Sequence, residues 1–331
     1  MQLGLDRIED IALNALRRAG AAEWQARPVA AATRRAEADG VSSVGLGYLP
    51  VYLAHLRSGK LRGDAAPALL EPARPGAVRV DAAHGFAHPA FDAGLDALVQ
   101  AAHAQGLAGL SLLRSYSIGM LGHPAEDIAR RGLIALAFAN SPPNMAPWGG
   151  RRKLFGTNPL ACAVPVAGGA PLVIDQASTV VTKVRLAAKA AAGEPIPPDW
   201  AFDADGAPTT DPRAALAGSM APFGGAKGAN IALIVEIFAA ALTGGAFSAA
   251  VAPYAEAAGA PPDIGQFFLA IDPGAFAPGF ADRLAGLVGA LREEARAPGD
   301  RRLAARDAAA RHGVAVDPAL IARIENFPEA S

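Results

Sequence analysis

The stretch ADGVSSVGLGYLPVY, residues 38–52, has the residue types of an active-site turn. It combines an Asp-Gly pair, two serines, two further glycines and a proline. These residues favour turns, and loops set on a rigid scaffold often carry catalytic groups. The centre of the stretch is Val44, an aliphatic side chain that cannot transfer a proton. Three interpretations are open: a catalytic loop that has lost its acid, a loop built for different chemistry, or ordinary surface.

A second stretch, GGAKG at residues 224–228, predicts a phosphate-binding turn. A glycine-rich turn that opens a helix leaves backbone N–H groups free, and Lys227 beside Gly228 adds a positive charge. A purely structural glycine turn explains the stretch about as well, since the spacing differs from that of a P-loop. The sequence has no G-x-G-x-x-G after a predicted strand, so a dinucleotide would not be held by a Rossmann arrangement.

Single ionisable residues give weaker signals. Asp175 follows an apolar, strand-like run, where ligands bind in α/β sheets, although Asp is also a favoured helix cap. His123 lies in a glycine-flanked loop and has the location best suited to acid–base chemistry; a solvated loop histidine is the alternative. Among the six histidines only His84 and His88 are close in sequence, and no carboxylate completes a metal site around them. We therefore expect no metal.

Composition excludes several classes of protein. The 331 residues are enough to bury a large core in one domain or in two closely packed ones. Charged residues make up 18%, hydrophobic residues 52%, and the net charge is −1, which argues against disorder, nucleic-acid binding and attraction to membranes. The single cysteine, Cys162, cannot form an internal disulfide. The start of the chain is typical of an amphipathic helix rather than a signal peptide, so we expect a cytoplasmic protein.

Hydrophobic periodicity predicts the helices and strands that would position these residues. Strands and helices alternate from residue 77 onward, which is typical of α/β proteins. A loop at 141–159 carries four prolines and three glycines, and loops of this length inside a compact domain are usually functional or disordered. The predicted helices are two within 3–38 and others at 48–58, 89–106, 124–131 and after the glycine turn within 224–245; the predicted strands are at 77–82, 107–115, 132–140, 160–166 and 171–175.

In their order along the chain, these stretches resemble the malate/L-lactate dehydrogenase family of the non-Rossmann type. The resemblance covers nearly the whole chain and is most specific in GTNP, DADGAPTTDP and APFGGAKG. The family includes ureidoglycolate dehydrogenase, diketogulonate reductase, sulfolactate dehydrogenase and the Δ1-piperideine-2-carboxylate and Δ1-pyrroline-2-carboxylate reductases. The stretches GFAHPA and ALTGGAFS are most similar to those of the cyclic imino-acid reductases.

The resemblance implies an α/β fold with two domains. A non-Rossmann NAD(P)-binding sheet domain at 116–299 would join a helical domain made of 1–115 and 300–331. The resemblance also implies an NAD(P)-dependent oxidoreductase that acts as a homodimer on a small-molecule substrate, and it leaves NAD versus NADP open. By position, the cofactor is expected to contact Gly156, Thr157, Asn158, Asp175, Gln176, Ala177, Ser178, Lys227, Gly228, Gly299 and Asp300.

The chain departs from the family pattern where the substrate is expected. Relatives have Ser-His-Gly followed by arginine, whereas this sequence has Val44 in place of the histidine and Tyr48 in place of the arginine. A second usual histidine is Ser117 here. The catalytic candidates are Ser43, Tyr48, Ser117, His123 and Lys183, and the candidate substrate contacts are Tyr48, Tyr52, Arg114 and Lys183. Arg151 and Arg152 are further candidates for the missing positive charge.

These replacements favour a substrate that arrives with its own proton. Hydride reduction of a ketone forms an alkoxide, and a positioned general acid contributes roughly 10²–10⁴ in rate. A cyclic imine takes a proton from solvent before the hydride arrives, and its product is an amine. We therefore predict NAD(P)H-dependent reduction of a small cyclic α-imino acid, either Δ1-pyrroline-2-carboxylate or Δ1-piperideine-2-carboxylate. The alternatives are a 2-hydroxy-acid dehydrogenase and a cofactor-binding protein that has lost catalysis.

Overall fold

The computed structural model of the chain describes residues 1–328, which form helices around a central sheet. The helices are α1 (Leu5–Arg18), α2 (Glu23–Ala38), α3 (Leu49–Ser58), α4 (Ala87–Gln105), α5 (Gly122–Ala129), α6 (Lys183–Ala192), α7 (Pro212–Ala217), α8 (Ala226–Glu236), α9 (Phe280–Glu294), α10 (Asp300–His312) and α11 (Pro318–Glu325). The strands are β1 (Gln2–Leu3), β2 (Ala68–Leu69), β3 (Ala77–Asp81), β4 (Leu107–Ser115), β5 (Ile134–Ala139), β6 (Leu160–Val164), β7 (Leu172–Gln176), β8 (Ala201–Phe202), β9 (Ser219–Met220), β10 (Ile264–Ile271) and β11 (Val314–Ala315).

The central sheet has seven strands in the order β2-β3-β4-β10-β5-β6-β7. Strands β3 and β4 are parallel and are joined by α4, whereas the other neighbours run antiparallel. A parallel pair needs a long crossover connection, and a helix is the usual one. The predicted strand–helix–strand unit and the α/β class are therefore confirmed, within a sheet that is mostly antiparallel.

Both faces of the sheet are covered by helices. Along β5, Ala135 and Ala137 belong to the core that includes residues of α4 and α5, whereas Leu136 and Phe138 pack with Val235 of α8. Successive residues of a strand point to opposite faces, so a nearly continuous apolar run fits a strand buried on both sides. This packing fixes the strand ends from which the site is built.

A second core joins the two ends of the chain. Apolar side chains of α1, α2, α3 and α11 pack together, and β1 pairs with β11. The N-terminal ammonium of Met1 donates to the carbonyl of Val316 at 2.8 Å. The division into a helical domain and a sheet domain stays a prediction, and the seven-stranded sheet takes strands from both sides of residue 115.

The elements predicted from periodicity are confirmed to within a few residues of their ends, including α3, α4 and β4. Strand β10, at the centre of the sheet, is not predicted, because a short apolar run does not distinguish a strand from a buried piece of helix. Within residues 1–328, no helix has both the length and the apolar character needed to cross a membrane.

Candidate active site

A cavity of about 300 Å³ opens beside the turn that contains Val44, a volume within the range of ligand pockets. Its walls come from that turn, the segments after β4 and β5, and the start of α6. The cavity brings together six of the predicted site residues: Ser43, Tyr48, Ser117, Thr157, Ala177 and Lys183. It is also lined by Asn140, Tyr254 and Gln266, which the sequence reasoning did not select.

A buried carboxylate anchors the turn. Glu37 of α2 accepts hydrogen bonds from Ser42 Oγ and from the backbone N–H of Leu46, both at 2.7 Å. A Cβ at position 45 would lie 2.5 Å from Glu37 Oε1, so this close approach requires Gly45. The anchored turn presents Val44 to the cavity. The stretch is therefore a wall of a ligand-sized cavity and not ordinary surface.

Tyr48 lies near two buried polar residues that are hydrogen-bonded to each other. Tyr116, which influences the pKa of Tyr48, has its hydroxyl 2.5 Å from His55 Nδ1. His55 Nε2 is 3.1 Å from the backbone carbonyl of Glu256. A carbonyl can only accept, so Nε2 carries the proton and Nδ1 accepts from Tyr116. The sequence does not connect these residues, because they meet only where α3 packs against the segment after β4.

Burial controls the protonation of Tyr48 and His55. It raises the pKa of Tyr48 far above that of a free phenol, so the hydroxyl is neutral at physiological pH. Burial lowers the pKa of His55, and the nearby ammonium of Lys60 lowers that pKa further. At neutral pH the cavity therefore faces a neutral phenol that is backed by a neutral imidazole.

Ser117 and Tyr52 form a second contact at the cavity wall. Ser117 Oγ accepts a hydrogen bond from the backbone N–H of Gly119 at 3.3 Å, and Ser117 lies near enough to Tyr52 to influence the pKa of its hydroxyl. Tyr52 is 2% exposed, and its ring centroid lies 5.0 Å from that of Tyr48. Tyr52 therefore supports the cavity from beneath and does not line it as a direct substrate contact would.

Lys183 supplies the positive charge at the cavity mouth. It is the first residue of α6, and its side chain is exposed. The preceding Thr182 caps the helix, accepting from the backbone N–H of Arg185 at 3.3 Å. A capped helix start holds Lys183 beside the cavity while its ammonium stays hydrated.

Arg114 and His123, like Tyr52, do not line this cavity. Arg114 is exposed and forms an ion pair with Asp81 of β3, with its Nε 2.9 Å from Asp81 Oδ1. His123 is buried in the first turn of α5, with its Nε2 2.9 Å from Asp39 Oδ2. Its loop continues directly into a helix, so His123 is neither a solvated loop histidine nor a neighbour of Val44.

The polar side chains of Asn158 and Ser178 are used inside the protein. Asn158 Nδ2 donates to the carbonyl of Ala232 at 3.0 Å and to a carboxylate oxygen of Glu236 at 2.7 Å. The Ser178 hydroxyl donates to the carbonyl of Asn158 at 2.8 Å. These two predicted cofactor contacts therefore brace the cavity wall, and their side chains are not free to meet a ligand.

The residues next to Asn158 and Ser178 in the sequence form the wall of the cavity. The backbone N–H of Thr157 donates to Ser141 Oγ at 3.0 Å, and a Cβ on Gly156 would lie 2.2 Å from the same oxygen. Glycine is therefore required before Thr157. Thr157 and Ala177 line the cavity, while Gln176 beside Ala177 is exposed.

A second cavity, of about 320 Å³, lies along the same edge of the sheet. Asp175 lines it and is two residues from Ala177 of the first cavity, which in an extended strand corresponds to about 7 Å. The two cavities therefore adjoin at the end of β7. The predicted residue Gly299 also lines the second cavity, with a second carboxylate, Asp39, and three arginines, Arg296, Arg301 and Arg302. Arg302 is buried and pairs with Asp39 at 3.5 Å.

Asp175 holds the start of α5. Its Oδ2 accepts from the backbone N–H of Gly122 at 2.7 Å, so it caps an earlier helix and not the next one in the sequence. Burial raises the pKa of Asp175, against the effects of the Gly122 hydrogen bond and the Arg302 charge. Asp300 lies outside both cavities, since it starts α10 and pairs with Arg292 at 2.6 Å.

The glycine turn opens α8, as predicted. Gly224 and Gly225 have φ values of +56° and +63°, which glycine adopts readily. A Cβ on Gly228 would lie 2.1 Å from the carbonyl oxygen of Phe223, so this residue must also be glycine. Within residues 1–328 no side chain caps this helix, and Lys227 is exposed in its first turn. The helix N-terminus can therefore bind a phosphate group.

Residues 3–325 match the family model described as malate/L-lactate dehydrogenase. The chain belongs to the malate/L-lactate dehydrogenase family. A curated relative, the (2R)-3-sulfolactate dehydrogenase (NADP(+)) of Chromohalobacter salexigens, is 48% identical over 242 residues, 73% of this chain and 72% of the relative. The Δ1-pyrroline-2-carboxylate reductase of Pseudomonas fluorescens is 37% identical over 330 residues, 98% of each chain.

A solved structure shows the fold of the family. The crystal structure of the delta1-piperideine-2-carboxylate reductase from Pseudomonas syringae pvar. tomato matches with a TM-score of 0.93 and 35% identity, over 98% of this chain and 99% of the other. The family and the fold predicted from the motifs are therefore confirmed.

The described residues fit the nicotinamide cofactor on which malate/L-lactate dehydrogenase family members depend. The first cavity, the uncapped N-terminus of α8 and the arginines of the second cavity provide the kinds of groups that would hold such a cofactor. Three buried polar atoms in the first cavity, on Asn140, Tyr254 and Gln266, have no hydrogen-bond partner within residues 1–328. Buried polar groups are normally paired, so these atoms are expected to face a ligand. Gln266 inside an apolar strand and Asn140 at the end of another are sequence signals that could have identified them.

Proposed function

We propose that this protein is an NAD(P)H-dependent reductase of a small cyclic α-imino acid, Δ1-pyrroline-2-carboxylate or Δ1-piperideine-2-carboxylate. The observation that supports this most is the charge of the first cavity. Within residues 1–328, Lys183 is the one charged side chain that lines it, and no imidazole or carboxylate does. Such a cavity suits a substrate that has one carboxylate and already carries the proton that the reaction needs.

Each wall of the cavity has a part in this reaction. The cofactor supplies the hydride when it is bound. The Lys183 ammonium attracts the substrate carboxylate, and the neutral Tyr48 hydroxyl adds a hydrogen bond without adding charge. Val44 covers the side of the cavity where a histidine would stand, and an apolar wall keeps water away from the reacting carbon. Ser43 and Ser117 complete this wall with small hydroxyls.

The relatives support this proposal by their names. The relative and the solved structure that cover 98% of this chain are a Δ1-pyrroline-2-carboxylate reductase and a delta1-piperideine-2-carboxylate reductase. These two proteins are 37% and 35% identical to this chain. The proposal therefore rests equally on the absence of an imidazole or a carboxylate from the lining of the described cavity.

A second candidate is a dehydrogenase of a 2-hydroxy acid. It is favoured by the 48% identity to a (2R)-3-sulfolactate dehydrogenase and by the Tyr48 phenol in the cavity wall, which could supply a proton. Sulfolactate carries two acidic groups, however, and Lys183 alone would have to balance both. The single positive charge of the cavity therefore places this candidate second.

An assay of cofactor oxidation separates the candidates. NADPH or NADH consumption is followed with each cyclic imine and with 3-sulfopyruvate, pyruvate and oxaloacetate. The proposal requires kcat/KM for a cyclic imine to exceed that for every 2-oxo acid. Faster turnover of 3-sulfopyruvate would establish the second candidate, and tight cofactor binding without turnover of any of these compounds would indicate a protein that has lost catalysis.

We propose NADP(H) as the preferred cofactor. Its additional phosphate needs positive charge, and three arginines line the second cavity. Guanidinium groups bind phosphate oxygens in a bidentate manner, so Arg296, Arg301 and Arg302 are suited to this phosphate. The name of the sulfolactate dehydrogenase relative, which includes NADP(+), agrees with this choice.

We also propose a homodimer located in the cytoplasm. Leu233, Ile234 and Ile237 form an exposed apolar stretch on and after α8, and such patches commonly mark protein–protein contacts. A second copy of the chain would bury them. Light scattering on the purified protein tests this: a dimeric mass that becomes monomeric in Ile234→Glu supports it, and a monomeric wild-type protein contradicts it. The cytoplasm is proposed because a reductase needs the cell's pool of nicotinamide cofactor.

A further inference from the structure

Two buried carboxamides, Gln266 and Asn140, line the first cavity. Gln266 lies in β10 and pairs with Ala139 of β5, and Asn140 is the residue that follows β5. Gln266 is 0% and Asn140 is 3% exposed. The pairing of β10 with β5 therefore brings both amides into the wall of one cavity.

The hydrogen bonds of these amides fix their orientation. Gln266 Nε2 donates to the carbonyl of Tyr116 at 2.9 Å, and Asn140 Nδ2 donates to the carbonyl of Ala246 at 2.8 Å. Rotating either amide by half a turn would place its oxygen against a carbonyl oxygen, and neither group could then donate. The amide nitrogens are therefore hydrogen-bonded within the protein, and the amide oxygens remain available to a ligand.

The two amide oxygens have no donor within residues 1–328. Gln266 Oε1 and Asn140 Oδ1 are both buried and unpaired. A buried acceptor without a donor is unfavourable, and most such groups find a partner in protein, water or ligand. A ligand that fills this cavity therefore meets two acceptors that need an N–H or O–H group.

We propose that Gln266 and Asn140 determine substrate specificity by presenting amide oxygens, one of which accepts the single N–H of the protonated ring nitrogen of the substrate. This inference rests on the proposed function, which supplies a cyclic imine as the substrate. A protonated imine brings an N–H donor, and a positive charge that neutral amide oxygens stabilise. A 2-oxo acid places a carbonyl oxygen at the same position, opposite two further acceptors. The pair thus selects an imine over the corresponding ketone without a charged side chain.

Two flat ring acids test this selection. Pyrrole-2-carboxylate and furan-2-carboxylate have nearly the same size and the same charge, but the first carries a ring N–H where the second has a ring oxygen. Their dissociation constants are measured by calorimetry on the full chain with saturating NADP⁺. We expect pyrrole-2-carboxylate to bind about tenfold or more tightly, the ratio that corresponds to one hydrogen bond. Equal binding, tighter binding of the furan, or no binding of either ring would overturn the inference.

Two variants locate the selection in the amide pair. In Gln266→Met and in Asn140→Leu, the ratio of the two dissociation constants is expected to fall toward one in at least one variant, with circular dichroism as the check on folding. If either variant fails to fold, the wild-type ratio still decides the outcome. A ratio that is unchanged in both folded variants, together with weaker NADP⁺ binding, would assign the oxygens to the cofactor and overturn the inference.

The same measurements separate this inference from the proposed function. A tenfold ratio without turnover of any cyclic imine would keep the acceptor pair and reject the imine reductase. Turnover of a cyclic imine with a ratio near one would keep the reductase and reject the acceptor pair.

Discussion

His55 Nδ1 lies 2.5 Å from the hydroxyl of Tyr116, in a buried polar cluster near Tyr48 of the cavity wall. His55 Nε2 meets the backbone carbonyl of Glu256, so His55 is fixed in one tautomer. The position of the imidazole behind the phenols leads to the first two predictions.

Tyr48→Phe removes a phenol hydroxyl from the cavity wall. Because a cyclic imine is protonated by solvent, we expect kcat for imine reduction to fall by less than about tenfold. Reduction of a 2-oxo acid needs a donor, and we expect any such activity to fall by about 10². Steady-state NADPH oxidation measures both. Tyr52→Phe is the control, since Tyr52 is buried and does not line the cavity. Equal losses with both substrates would show that Tyr48 positions the substrate and donates no proton.

Val44→His places an imidazole at the cavity wall. We expect reduction of pyruvate or oxaloacetate to rise by at least about tenfold, since a positioned acid contributes 10²–10⁴ when its geometry is good. Imine reduction should change little, because that substrate brings its own proton. The two rates are compared in one assay series with Val44→Leu as the control for size. A gain in imine turnover as large as the gain in keto-acid turnover would contradict the argument from Val44.

Lys183→Met removes the one charged group that lines the cavity within residues 1–328. A hydrogen bond between charged groups is worth about 1.5–3 kcal/mol, so we expect KM for the imine to rise about 10- to 100-fold with kcat little changed. Lys183→Arg should recover part of this loss. Lys189→Met is the matched control. Lys189 lies on the same helix as Lys183 but outside the cavity, and it pairs with Glu194. An unchanged KM would assign the carboxylate to another group.

Arg301→Ala removes an exposed arginine of the second cavity. If the extra phosphate of NADPH binds there, KM for NADPH should rise about tenfold while KM for NADH stays the same. Arg283→Ala, an exposed arginine outside both cavities, is the control. A parallel rise for both cofactors would show that Arg301 does not distinguish them.

Glu126 links α5 to α10 inside the protein and makes stability depend on pH. Burial alone would raise its pKa, but hydrogen bonds and charge from Arg306, with the charge of Arg35, outweigh burial and lower that pKa below its ordinary 4.5. A carboxyl with a lowered folded-state pKa stabilises the fold above its ordinary pKa and loses this contribution as pH falls further. We therefore expect the melting temperature to fall steadily below about pH 4.5.

Glu126→Gln tests this assignment. It should destabilise the protein by about 3–5 kcal/mol at pH 7, because the mostly buried Arg306 guanidinium loses a negatively charged partner. The acid decline of the melting temperature should also become shallower than in the wild type. Glu23→Gln is the control, since Glu23 pairs with Arg27 and both side chains are exposed. It should change neither the stability at pH 7 nor the acid decline of the melting temperature. A variant with an unchanged acid slope would place the pH dependence elsewhere.

The sequence by itself determined the local structure and the family. The helical periodicity of α1 and α4, the glycines required before Thr157 and at the start of α8, and the apolar runs of β4 and β5 are all local properties of the chain. The replacement of a usual histidine by Val44 was also visible in the sequence, and it gave the chemical hypothesis of a substrate that is already protonated.

Only the tertiary structure decided which polar groups surround the site. Gln266 lines the same cavity as Asn140 because β10 pairs with β5, and His55 reaches Tyr116 through helix packing. Periodicity shows that a face is buried but not which strand or helix buries it. The same long-range packing moved His123 toward Asp39 and turned Asn158 inward to Glu236, away from the roles their sequence positions suggested. The physical reason is that pairing between distant segments depends on the burial and hydrogen bonding of the whole fold, and no single stretch of the chain contains that information.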